Sequence, residues 1–160
     1  VVAGPAGIGC WPGVIQYCID LGDGGRRALE FQMIRWAGWL IVFFGAAHTV
    51  GALTIEGAAR YLGEWFGGAL RHDDLANMSA ANSAFWLSVD SFGIPLVLVG
   101  LMVLWLHRRG ITPPSFVGWV LAAWAVVGAV VLTFTPWPIL LVAAGLLLAG
   151  QRRAHASKAH

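Results

Sequence analysis

Charge is what this sequence has least of. Asp, Glu, Lys and Arg together make up 11% of its 160 residues, against about 25% in an ordinary soluble domain. A deficit of that size leaves too few charges to solvate a globular surface. Cysteine is scarce as well. Cys10 and Cys18 are separated by seven residues, which is neither a zinc nor a redox spacing and provides no disulfide framework. The chain has no phosphate-binding glycine loop, no nucleophile elbow and no zinc-protease motif. A cleavable signal peptide is not indicated either. Arg26 and Arg27 follow the weak apolar run Ile8–Ile19 instead of preceding it, and no small-residue cleavage site comes after.

Apolar length is what the sequence has in abundance. The hydrophobic fraction is 58% with nine Trp, the mean hydropathy is +0.72, and Trp favours membrane interfaces. The expected fold is all-α: a polytopic four-transmembrane-helix bundle with a short interfacial helix in the first outer loop. The spans are placed at about 36–55, 84–106, 116–134 and 137–150. The first is twenty residues without a formal charge, which at about 1.5 Å per residue covers a hydrocarbon core of roughly 30 Å. The second contains Gly93 and Pro95, so a kink is expected there. Thr135–Pro138 reads as a tight turn. The fourth span has only fourteen apolar residues before Gln151-Arg152-Arg153 and crosses only if the bilayer thins or Trp137 sits among headgroups.

Three domains follow from these boundaries. Residues 1–32 form a glycine-rich extension, expected to be poorly ordered or to precede a true start at Met33. Residues 33–151 form the transmembrane domain, and residues 152–160 a basic tail. Within the first outer loop, Ala58–Leu70 places Ala58, Leu62, Trp65, Phe66, Ala69 and Leu70 at helical spacing. Gly63, Gly67 and Gly68 interrupt it. Lys and Arg set the orientation. Arg26, Arg27, Arg35, Arg108, Arg109, Arg152, Arg153 and Lys158 share one side, and only Arg60 and Arg71 the other. Both termini are therefore expected in the cytoplasm.

Polar groups within the spans gather in the outer halves of the helices: His48, Thr49, Thr54, Ser88, Asp90, Ser91, Thr133 and Thr135. Such clustering points to a polar cavity open to the outside. His48 and Asp90 each fall roughly 8–10 Å below the outer edge, counted at 1.5 Å per residue. A carboxylate within a bilayer costs about 2.5–3.5 kcal/mol, which a histidine partner or cavity water offsets. The candidate ligand-binding or proton-handling residues are His48, Asp90, Ser88, Ser91 and Thr49. A buried hydrogen bond tying two helices together explains the same placement. A bis-histidine haem site is not available, because His48 is the one histidine inside a span. His72, Asp73 and Asp74 read as a solvated acidic loop more readily than as a metal site. No cofactor and no metal are expected.

From Met33 onward the stretches MIRWAGWLIVFFGAAHTVGAL, AFWLSVDSFGIPLVLVGLMVLWLHRRG, GWVLAAWAVVGAV and PWPILLVAAGLLL resemble a group of short bacterial membrane proteins, the domain-of-unknown-function family 6463. The resemblance leaves out residues 1–32, and His48 falls in its first helix. It implies a four-helix domain of the bacterial inner membrane with no established activity. The functional expectation is a non-enzymatic membrane module that self-associates or binds a membrane-protein partner or a small hydrophobic ligand, with the lipid bilayer as its medium and no nucleic acid. The alternative is a small proton-coupled carrier, or a quinone or redox enzyme, using His48 and Asp90.

Overall fold

The computed structural model of the protein describes residues 12–73, 77–132 and 136–157. Every regular element among them is helical. Helix α1 runs over Pro12–Thr54, α2 over Leu62–Phe66, α3 over Ala80–Ser88, α4 over Gly93–Arg108, α5 over Ser115–Val131 and α6 over Trp137–Ser157. Two stretches, Phe31–Thr54 and Ala80–Arg108, are long and apolar enough to cross a membrane. The second is the expected interrupted span, with α3 and α4 as its two halves.

Helix α1 is the central element. It packs against α4 on one side and α6 on the other, and α5 packs on α6. The α1–α4 contact is made by glycine. Gly38 and Gly45 on α1 are seven residues apart, as are Gly93 and Gly100 on α4. Seven residues is close to two helical turns, so each pair lies on one face. A Cβ on Gly45 would stand 2.5 Å from the Gly93 carbonyl oxygen, and one on Gly100 2.9 Å from the Gly38 carbonyl oxygen. Those positions are held by hydrogen, so each glycine turns a Cα–H toward a carbonyl across the interface. Contacts of this kind contribute about 0.5–1 kcal/mol each and recur where helix backbones touch.

The remaining core is a layer of Ile34, Ala37, Ile41 and Phe44 from α1 against Leu140, Ala143, Ala144 and Leu147 from α6, all buried. At the far end of α6, buried Gln151 donates from Nε2 to the Pro114 carbonyl at 3.1 Å. That bond ties α6 to the start of α5. It also explains why α6 runs past its apolar stretch to Ser157: Gln151 is an inward-facing helical residue, and Arg152 and Arg153 are good helix formers.

Three expected boundaries shift. Helix α1 starts at Pro12, where proline suits a first helical turn, so the backbone is already helical through 12–32. Helix α5 ends at Val131, three residues short of the expected span. The expected Ala58–Leu70 helix is divided into a 3₁₀ turn at Ala58–Tyr61, the five-residue α2, and a second 3₁₀ turn at Ala69–His72. Glycine accounts for the second division. Gly68 takes a left-handed φ of 82° that ends the helical run. Trp65 still anchors the segment, donating Nε1 to the Ala81 carbonyl at 2.8 Å. Cys10, Asp74, Thr133 and Thr135 lie outside the described residues, and so does part of the expected turn at Thr135–Pro138.

Two alanine substitutions separate the interface from helix propensity. Gly45→Ala lowers the unfolding free energy by about 1–3 kcal/mol, the usual cost of overpacking. Gly51, whose added Cβ would meet nothing within 4 Å, gains up to about 1 kcal/mol on the same change. Thermal or denaturant unfolding of the two purified variants checks both signs.

Candidate functional site

The site begins with a broken helix. Val89 and Asp90 both donate their N–H to the Phe85 carbonyl, at 2.9 and 3.1 Å, and the regular ladder then stops. It resumes with Leu96 N–H to the Phe92 carbonyl at 2.9 Å. Pro95, four residues after Ser91, has no N–H with which to bridge the gap. Orphaned carbonyls need other donors, and Ser91 Oγ supplies one, donating to the Ser88 carbonyl at 3.2 Å. Ser88 is fully buried and donates its own hydroxyl to the Ala84 carbonyl at 2.5 Å.

Ser91 Oγ also lies 3.0 Å from His48 Nε2. A serine hydroxyl has one proton to give, and this one is committed to the Ser88 carbonyl. His48 Nε2 is therefore the donor and Ser91 Oγ the acceptor. In the neutral ring that leaves Nδ1 as an acceptor, with no partner among the described residues. The ring itself is clamped, stacking on Phe92 with centroids 4.0 Å apart and planes at 26°. Phe92 meets Trp124 edge-on at 5.3 Å and Trp137 at 5.5 Å. Phe44 and Trp137 are 5.6 Å apart. Residues from α1, α5 and α6 thus converge on Phe92, which in turn stacks on the imidazole. Gly93 is required beneath it, because a Cβ there would collide with Thr49 Oγ1 and stand 3.2 Å from His48 Cδ2.

Beside this cluster is a cavity of about 400 Å³, lined chiefly by Phe44, His48, Gly51, Phe92, Trp137 and Ile139, with Glu56 at its rim. Its walls are mostly apolar, and His48 and Glu56 bring its titratable groups. Two buried polar atoms near this level, Thr49 Oγ1 and Trp137 Nε1, have no partner among the described residues. A second recess of about 270 Å³, lined in part by Glu56, Arg60, Ser83 and Ser88, opens beside α3.

The structure brings His48, Thr49, Ser88 and Ser91 together around the break and leaves Asp90 outside. Asp90 is exposed, and the partner of His48 is Ser91. His48 and the break do share one level of the bundle. Within the break, however, Ser91 and Phe92 turn toward α1, while Asp90, one residue earlier, turns away. A carboxylate so placed avoids burial without a partner. Among the described residues, no group of three metal-ligating side chains occurs. Asp73 has a structural role: its Oδ2 accepts from Ser79 N at 3.1 Å and from Ser79 Oγ at 2.6 Å. Those bonds hold its carboxyl below the usual range, and Ser79 in turn caps α3 at Asn82 N.

The aromatic wall of Phe44, Phe92, Trp124 and Trp137 was not singled out from sequence, since aromatic residues in apolar helices carry no positional signal of their own. The Gly93-x-Pro95 pattern did carry one, for the break. If Ser91 is the partner of His48, Ser91→Ala lowers stability by about 1 kcal/mol, the net value of one hydrogen bond. Asp90→Asn, at an exposed position, changes it by less than about 0.5 kcal/mol. Unfolding curves of the two variants distinguish the assignments, and a larger loss in Asp90→Asn would contradict this geometry.

Comparison with known proteins adds one relationship. No curated protein and no solved structure matches the chain. The profile of a family of unknown function, DUF6463, matches over residues 32–154, which takes in the apolar part of α1, the break, the cavity and most of α6. On that match the chain belongs to the family of unknown function DUF6463.

Proposed function

We propose that the protein is a four-span membrane module that binds a small hydrophobic molecule bearing a hydrogen-bond donor, in the cavity beside His48. The observation that carries this reading is the cavity itself. At about 400 Å³ it falls within the roughly 300–1,000 Å³ range of small-molecule sites, and such sites combine apolar walls with a few placed polar groups. The Nδ1 acceptor of a clamped His48 is such a group. It prefers a hydroxyl or amine on the ligand over a bare carbonyl.

The membrane setting is supported by the outer surface of the bundle. Trp36, Trp39 and Phe43 on α1, Leu98, Leu101 and Trp105 on α4, and Phe116, Trp119, Val120 and Val127 on α5 are all exposed. Contiguous exposed apolar surface on this scale is unusual for a monomeric soluble protein. Helix α5 spans about 26 Å at 1.5 Å per residue, and the apolar part of α6 is shorter still, so four crossings suit a locally thinned bilayer. Arg35, Arg108, Arg109, Arg152 and Arg153 gather at one end of the helices. By the rule that basic loops stay inside, that end and both termini face the cytoplasm, and the cavity opens on the other side. The carrier alternative loses its proposed relay, because His48 is bonded to Ser91 and not to Asp90.

Topology is tested with single cysteines replacing Arg60 or Arg153 in a chain whose Cys10 and Cys18 are changed to Ser. A membrane-impermeant maleimide labels position 60 on intact cells and position 153 only after permeabilisation. Equal labelling of both would defeat the four-span arrangement. Ligand chemistry is tested with the matched probes 2-naphthol and naphthalene. The purified protein binds 2-naphthol about fivefold to tenfold more tightly, the value of one hydrogen bond, and His48→Leu removes the difference. Equal affinities in the wild type would sink the role of His48, and binding of neither probe would sink the cavity.

A further inference from the structure

The basic end of the bundle holds a second feature that the cavity at the other end does not use. A cleft of about 430 Å³ opens between α1 and α4, lined by Phe31, Gln32, Arg35, Trp36 and His107. The ring of His107 lies against Phe31, with centroids 5.2 Å apart, and a smaller recess of about 40 Å³ continues behind the pair toward Ile111 and Thr112.

Among the described side chains, charge at this end is unbalanced. The carboxylates among the described side chains are Glu56, Glu64, Asp73 and Asp90, and all of them sit at the opposite end, in the α1–α3 loop or at the α3–α4 break. Two arginines at the basic end find aromatic faces instead. Arg109 lies 5.0 Å over Trp105 and Arg152 lies 5.9 Å over Trp119. Arg35 has neither a carboxylate nor a ring partner among the described residues. It projects into a cleft that also offers the Gln32 amide and the His107 imidazole. A guanidinium in that position suits a phosphate oxygen, which it can hold bidentately. Above the cleft, Trp36, Trp39 and Phe43 are exposed and follow one another at three- and four-residue spacing on one face of α1. They form an apolar track that starts where the cationic group ends.

Together these point to an amphiphile with an anionic head. We propose that the cleft binds the phosphate of an anionic membrane lipid, with Arg35 as the principal cation, Gln32 and His107 as supporting hydrogen-bonding groups, and the Trp36–Phe43 track against the acyl chain. The site rests on the membrane reading above and is separate from the His48 cavity. Basic recesses between membrane helices on the cytoplasmic side are suited to such headgroups.

The test is native mass spectrometry of the detergent-purified protein with phosphatidylglycerol or phosphatidylcholine added. The wild type retains phosphatidylglycerol in preference to phosphatidylcholine. Arg35→Gln lowers the retained phosphatidylglycerol about fivefold, which corresponds to the roughly 1 kcal/mol that one basic side chain contributes near an anionic surface. Arg35→Lys keeps most of the binding, and Arg153→Gln, outside the cleft, leaves it unchanged. Equal retention of the two lipids, or no loss in Arg35→Gln, overturns the proposal. Displacement of the lipid by excess inorganic phosphate reassigns the cleft to the free ion and overturns the lipid assignment. Alkaline carbonate washing of membranes is run alongside. Release of the protein there would defeat the membrane reading itself, whereas retention with no lipid preference defeats only the lipid site.

Discussion

The close approach of α1 and α4 through glycine is the contact on which the rest of the arrangement depends. Gly38, Gly45, Gly93 and Gly100 leave no room for a Cβ on either helix, so the two backbones can slide past each other only by breaking reciprocal contacts at two levels. That fixes the antiparallel register. Register in turn decides which residue of the α3–α4 break meets His48, and the answer is Ser91. Had the helices been held apart by larger side chains, the Thr49 hydroxyl would not rest on Gly93, and the imidazole would not reach the break.

The break converts a structural weakness into a place where polar groups belong. Pro95 takes the donor for the Ser91 carbonyl out of the helical ladder, and three residues earlier the Ser88 carbonyl accepts from the Ser91 hydroxyl. The committed hydroxyl then sets His48 as a donor through Nε2 and leaves Nδ1 as the acceptor of the neutral ring. This polarity is local and satisfied, and around it the walls are aromatic. The cavity is therefore mostly apolar, with His48 and Glu56 as its titratable groups. At the opposite end, Gln151 ties α6 to the start of α5, and among the described side chains arginines stand where the cavity end has carboxylates. Among the described side chains, one end of the bundle is cationic and the other carries acids, serines and the imidazole.

Much of this was readable from sequence, and the parts that were not have physical reasons. The apolar runs announced the helices, because length and hydrophobicity leave few other structures. Gly93 and Pro95 announced the break. The level of His48 against the second span followed from counting residues. The partner did not, because counting fixes height and not azimuth. Asp90 and Ser91 are adjacent in sequence and point in different directions, and only the packing of α1 on α4 decides between them. The glycine pairs were present as a seven-residue spacing in each helix, yet glycine is common in apolar helices and the match between two segments shows only when they are laid side by side. The interfacial helix was overdrawn, since amphipathic spacing said nothing about Gly68 adopting a left-handed backbone. The end of α6 was underdrawn, since hydropathy stops at Gly150 while the helix continues through buried Gln151.

The register of α1 against α4 is the claim from which the site follows, and cross-linking tests it directly. A Cβ on Gly38 would lie 2.8 Å from Leu104 Cγ, which puts the two Cβ positions within the roughly 3.5–4.5 Å that a disulfide requires. In a chain freed of Cys10 and Cys18, Gly38→Cys with Leu104→Cys forms an intramolecular disulfide on mild oxidation. Gly38→Cys with Arg108→Cys, one helical turn away, does not. Cross-linking at Arg108 in preference to Leu104 would shift the register by a turn, separate His48 from Ser91, and contradict the site described above.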